Sequence, residues 1–135
     1  RVAVGLFGTT SAIATTQSPS ALTNCIFVGW DSTDTNMQLM RNDASGTCTK
    51  IDLGANFPVN NTSSVYQLDI FAPPNVSWIG YRVKRLDTGA VASGNVTTDI
   101  PLPNVLLSWH AYMNNGGTAL AVVLAHMRTY LETDN

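Results

Sequence analysis

Residues 64 to 71, SVYQLDIF, place Tyr66, Leu68 and Ile70 on one side of an extended chain and Gln67 and Asp69 on the other, and APPN then ends the run. An apolar period of two fits a half-buried strand, whose successive side chains point to opposite faces. WIGYRVKRL, residues 78 to 86, repeats it with Ile79, Tyr81 and Val83 against Arg82 and Lys84, and DTG makes the next turn. These two segments are expected to form a hairpin. Similar short runs recur at intervals of roughly 8 to 12 residues along the chain, the spacing of an all-β sandwich or barrel.

VAVGLFG, NCIFVGW, NMQLMRN and CTKIDLG supply strands in the N-terminal third. AVASGNVTTDI follows the hairpin, with Gly94 as a candidate bulge, and VLLSWHAYM runs into NNGG, a turn that needs positive φ. The chain then returns through residues 118 to 132, read as a strand for Val122, Val123, Thr129 and Tyr130, although Ala and Leu there also suit a helix. About eight or nine segments result, enough for two packed sheets.

A chain of 135 residues has the length of one domain, residues 1 to 135, with one core. Seven Lys and Arg against nine Asp and Glu give a net charge of -2, so no basic field exists for a nucleic acid backbone. The longest apolar run, ALAVVLA, is far shorter than the roughly 18 to 20 residues of a membrane helix, so no membrane insertion is expected. Only 12% of residues are charged, leaving a surface of Thr, Ser, Asn and Gly. The chain begins at Arg1 without an initiator Met and is read as a fragment of a longer one. Cys25 and Cys48 match no zinc or redox spacing, and either a bridge or two buried thiols is open.

The stretch DSTDTNMQLMRND, residues 31 to 43, invites a calcium reading. A calcium loop of the EF-hand kind needs Gly at its sixth position and Glu at its twelfth, where this chain has Asn36 and Asn42. Asp31, Asp34 and Asn36 are therefore read as turn formers, and neither a metal nor a cofactor is expected. His110 and His126 lie in apolar runs without a nucleophile elbow, and no glycosidase carboxylate pair is recognisable, so no catalytic residues are assigned and the chain is read as non-enzymatic. Sugar rings present apolar C–H faces that stack on aromatic side chains while polar neighbours bind the hydroxyls. Trp30, Asp31, Trp109, His110 and Tyr112 are the candidate ligand-binding residues, and Trp30 and Trp109, beside polar segments, are favoured over Trp78.

Taken together, RVAVGLFGTTSAIA, FVGWDSTDTNMQLMRNDASGTCTKIDLG, IGYRVKRLDTGAVASGNVTTDIP and RTYLETDN resemble the C-terminal region of bacteriophage tail fibres and related virion fibre or spike proteins, over nearly the whole chain. The resemblance implies a β-sandwich of jelly-roll, lectin-like type at the tip of a homotrimeric fibre, located on the virion and contacting a bacterial surface glycan or protein. It supplies no set of binding residues to carry over. The trimer also has a physical argument: if ALAVVLAHMRTYL is extended, Leu120, Val122 and Leu124 face one way and Ala121, Val123, Ala125 and Met127 the other, and both faces need cover. A structural trimerisation cap, or a capsid-decorating domain without receptor contact, is the alternative.

Overall fold

The computed structural model describes residues 1–9, 11–118, 121 and 123–132. These residues are all-β, with no helix beyond one 3-10 turn at Pro19–Ala21, and none long and apolar enough to cross a membrane. The strands are β1 (Val2–Phe7), β2 (Cys25–Trp30), β3 (Gln38–Asn42), β4 (Thr49–Asp52), β5 (Tyr66–Phe71), β6 (Ile79–Arg85), β7 (Val91–Val96) and β8 (Ser108–Met113). They form two antiparallel sheets, one of five strands ordered β4-β3-β2-β1-β8 and one of three ordered β5-β6-β7. The architecture is a two-sheet antiparallel β-sandwich. The chain meanders across the first sheet, builds the second as a further meander, and returns to lay β8 beside β1, with Val2 opposite Met113 and Phe7 opposite Ser108.

The alternating pattern divides each strand's side chains between two sides, and packing decides which of them are covered. In β2, Cys25, Ile26, Phe27 and Val28 are all buried, so this central strand has no wet face. Ile26 and Val28 meet Leu39 of β3 and Ile79, Val83 and Val96 of the second sheet, with Phe57 from the β4–β5 connection, in the core between the layers. Cys25 and Phe27 point the other way and join Ala3, Phe7, Met40 and Cys48 in a second core. Phe7 and Phe27 stack there with ring centroids 5.0 Å apart. The segment through the Pro19–Ala21 turn lies over that second core: Leu22 packs on it, and the Tyr112 hydroxyl on β8 donates to Ala14 O at 2.7 Å.

Polar pins hold the connections in place. Asn42 is fully buried, and its amide nitrogen donates to Leu22 O at 2.8 Å and Gly46 O at 3.3 Å. Arg41 Nε donates to Thr98 O at 2.8 Å, fixing the start of the β7–β8 connection, and Asp99 accepts from the backbone of Asp43 and Thr49 at 3.2 and 3.0 Å. At the β6–β7 turn, Arg85 meets Asp87 at 2.9 Å, and that contact with a further bond from Ser64 holds the Asp87 carboxyl down at about 2. Cys25 and Cys48 are free thiols with sulfurs 3.8 Å apart. The bond to Cys48, with burial, pushes the Cys25 thiol far up, so it stays protonated and unreactive.

Two expectations are corrected. Gly94 is not a bulge: β6 and β7 pair without interruption from Ile79 opposite Val96 to Lys84 opposite Val91. Gly94 instead makes room for the ring across from it, since a Cβ there would lie 3.1 Å from the Tyr81 hydroxyl. The return segment is not a strand either. Gly116 and Gly117 take the positive φ that NNGG called for, at 69° and 88°, but Ala121 and residues 123 to 132 belong to no strand or helix. Val123 and Met127, on one side of the expected strand, are 82% and 84% exposed, and apolar alternation without a hydrogen-bonded neighbour makes no sheet. Leu120 and Val122 lie outside the described residues.

Candidate ligand-binding face

The three-stranded sheet presents Tyr66, Leu68, Ile70, Tyr81, Val83 and Ala92 to the core. Its register therefore turns Gln67, Asp69 and Phe71 of β5 outward, next to Lys84, Arg82 and Gly80 of β6 and then Val91, Ser93 and Asn95 of β7. Phe71 shares the parity of Gln67 and Asp69 and is 62% exposed. Beyond it the PPN turn, with Asn75 at φ 61°, brings Trp78 back over the sheet just before β6. The two rings meet edge to face, with centroids 6.1 Å apart and planes at 65°.

Between them the floor is Gly80. A Cβ at this position would lie 3.3 Å from both Trp78 Cζ3 and Asn95 Oδ1, so any side chain would fill the space the aromatic pair leaves. The result is an open depression of about 370 Å³ lined by Phe71, Trp78 and Gly80 with Asp69, Arg82, Ser93 and Asn95. Arg82 Nη1 meets Asp69 Oδ2 at 3.2 Å, and Gln67 Nε2 donates to the same carboxylate at 2.9 and 3.2 Å. The carboxylate is thus oriented and partly neutralised, while Ser93 and Asn95 have no side-chain partner among the described residues. Two aromatic faces beside directed donors and acceptors can hold a ring that is apolar on its faces and polar on its rim.

The candidates named from sequence lie on the other sheet. Trp30 is half-buried against the interlayer core. Asp31 is 9% exposed, and its carboxylate meets Lys50 Nζ at 2.8 Å and accepts from Ser20 N at 3.3 Å. Trp109 lies against His126, ring centroids 5.6 Å apart. His110 stands edge-on to Phe7 at 5.7 Å, with Ser108 Oγ 2.9 Å from its Nε2. The Tyr112 hydroxyl also donates to Gln17 O at 3.2 Å and pairs with the Asn114 amide. Through β1, Trp30 lies opposite Val2 and Trp109 opposite Leu6, four residues along, so the two indoles share a face about 13 Å apart along the strand. His110 and Tyr112 occupy the reverse face. The five residues do not converge on one surface.

Asp31, Asp34 and Asn36 form turn and strand contacts. Lys50 Nζ bridges both carboxylates, at 2.8 Å to Asp31 and 2.7 Å to Asp34. Asp34 Oδ2 also accepts from Asp31 N at 2.8 Å, and Asn36 Nδ2 donates to Asp52 at 3.1 Å. Burial raises the Asp31 carboxyl, but the bonds from Lys50 and Ser20 outweigh it and hold the group below its ordinary range. Among the described residues no cluster of three or more His, Cys, Asp or Glu side chains is arranged to hold a metal ion. Ser108 and His110 are within hydrogen-bond reach, yet among the described residues no carboxylate orients the imidazole, as a nucleophile relay requires.

Phe71 and Gly80 escaped the sequence reading. The signal for Phe71 was present: an aromatic side chain on the wet parity of an alternating strand. Comparison with protein-family models, with curated proteins and with solved structures gives no match.

Proposed function

We propose that this domain recognises a surface glycan without cleaving it, and that it does so as the distal domain of a homotrimeric bacteriophage fibre. The observation that carries the reading is the Phe71–Trp78 pair standing over Gly80 on the uncovered side of the three-stranded sheet. A monomer has little reason to expose Phe71, with the half-buried Trp78 at its side, beside oriented polar groups unless something stacks on them. The fibre context, the virion location and the jelly-roll, lectin-like type rest on the sequence resemblance. Three copies per fibre would convert weak single sites into useful avidity.

The trimer no longer leans on a two-faced strand. What supports it is the exposure of Val123, Met127, Tyr130 and Leu131 in the carboxy-terminal segment, apolar side chains that neighbouring chains around a threefold axis would cover. The same exposure favours a second reading, a cap that ends the fibre and drives assembly without touching the host. Binding of the assembled domain to host cells separates the two. Recognition requires that cells retain the domain and that Trp78→Ala abolish retention while leaving the mass by sedimentation unchanged. Retention of neither protein, with assembly intact, favours the cap, whereas equal retention of both would mean that the host is met by a surface other than the Phe71–Trp78 depression. Incubation with host polysaccharide followed by sizing tests the non-enzymatic reading, and shortened chains would overturn it.

A further inference from the structure

Along the outer side of β6 the sequence Gly80, Arg82, Lys84 sets three different surfaces in a row. Gly80 opens the aromatic depression. Arg82 stands next, between Asp69 on β5 and Ser93 on β7. Lys84 follows between Gln67 and Val91, two neighbours without charge. Asp69 is already engaged by Arg82 and by the Gln67 amide. Among the described residues no carboxylate pairs with Lys84, so one cation on this face is left unbalanced, on a chain whose total charge is negative.

Gly80 and Lys84 are four residues apart, about 13 Å along the strand. That is longer than one sugar ring, so a ring stacked on Phe71 and Trp78 leaves the adjoining units of an oligosaccharide over Arg82 and Lys84. Resting on the glycan reading above, we infer that the ligand is an anionic saccharide, with one unit stacked in the depression and a carboxylate or phosphate on a neighbouring unit meeting Lys84. Arg82 serves the same unit through guanidinium nitrogens that Asp69 does not use, and Ser93 and Asn95 take hydroxyls of the stacked ring. The pairing is solvent-exposed, so salt weakens it.

The test uses the whole chain and three probes: an oligouronate, the same oligomer after reduction of its carboxyl groups, and a hexose-phosphate oligomer. Binding at low salt is expected to be at least tenfold tighter for one or both anionic oligomers than for the reduced one, and the gap should close as salt is added. Lys84→Gln should remove the gap while leaving the affinity for the reduced oligomer unchanged. A preference for one anionic oligomer over the other identifies the acid group. Equal binding of acidic and reduced oligomers overturns the inference and leaves the glycan reading standing. Failure of a folded protein, with Phe71 and Trp78 intact, to bind any of the three overturns both.

Discussion

The two sheets share a strand grammar and differ in how it is used. The five-stranded sheet is covered on both faces around β2, with Ile26 and Val28 against the second sheet and Cys25 and Phe27 beneath the Pro19–Ala21 segment. Among the described residues the three-stranded sheet is covered on one face alone, and β5 reads half-buried and exposed in strict alternation. A sheet buried twice has its side chains fixed by packing, whereas the free face of a sheet buried once can carry groups that contribute nothing to folding. The depression lies on that free face.

The comparison breaks first at Phe27. It is fully buried beside Phe7, so Phe27→Ala should cost about 3–5 kcal/mol by urea denaturation, enough to leave a domain of this size marginal. A loss below about 1 kcal/mol would mean that the second core is not a packed core at all.

Next in size is the cluster joining the β2–β3 turn to β4. Lys50→Met removes the partner of two carboxylates, one of them nearly buried, and should cost about 1–2 kcal/mol at neutral pH, the pair being partly exposed. The pH dependence has a definite sign. Asp31, Asp52 and Asp99 are all held below the ordinary carboxylate range, so their stabilisation is complete above the unfolded value of about 4 and disappears as pH falls through the lower folded values. The urea midpoint should thus be level from about pH 7 to 5 and drop below about pH 4. In Lys50→Met the drop should be shallower, because Asp31 has lost the cation that lowered it. Parallel pH curves for the two proteins would show that the bridge contributes nothing.

How much of this was legible in the sequence follows from what a period of two encodes. It gave the eight strands, the β5–β6 hairpin and the division of residues between two sides, because the pleat enforces alternation wherever one side is buried. It does not encode which side a second layer covers. Trp30 and Trp109 looked available beside polar neighbours, yet both belong to the larger sheet, whereas Trp78 lies outside any strand and its position depends on the PPN turn. Lys50, sixteen residues from Asp34, could not be paired with it until β3 and β4 were in register. Ala121 and residues 123 to 132 show the converse limit, since a pattern suited to a strand specifies no partner for its hydrogen bonds. The thiols were undecided because spacing alone cannot tell a bridge from two sulfurs in van der Waals contact.

The smallest expected effect on folding is the sharpest test of the division between the sheets. Phe71 is a large aromatic residue at the end of β5, and a scale based on side chain alone would assign it the same importance as Phe27. With 62% of its surface already in water it loses little on unfolding, so Phe71→Ala should shift stability by no more than about 0.5 kcal/mol. The edge-to-face contact with Trp78 contributes at most part of that, since the Phe71 ring is largely open to solvent. Saccharide binding should fall at least tenfold in the same protein, because half of the stacking surface is gone. Gly80→Ala should reproduce the binding loss by another route: its Cβ enters the floor at 3.3 Å from Trp78 and Asn95 without removing either ring. If both variants keep wild-type affinity and wild-type stability, the outer face is surface only and the ligand must meet the domain elsewhere. If Phe71→Ala instead destabilises as Phe27→Ala does, the ring is covered in solution, and an unseen layer, such as a neighbouring chain, lies over the smaller sheet.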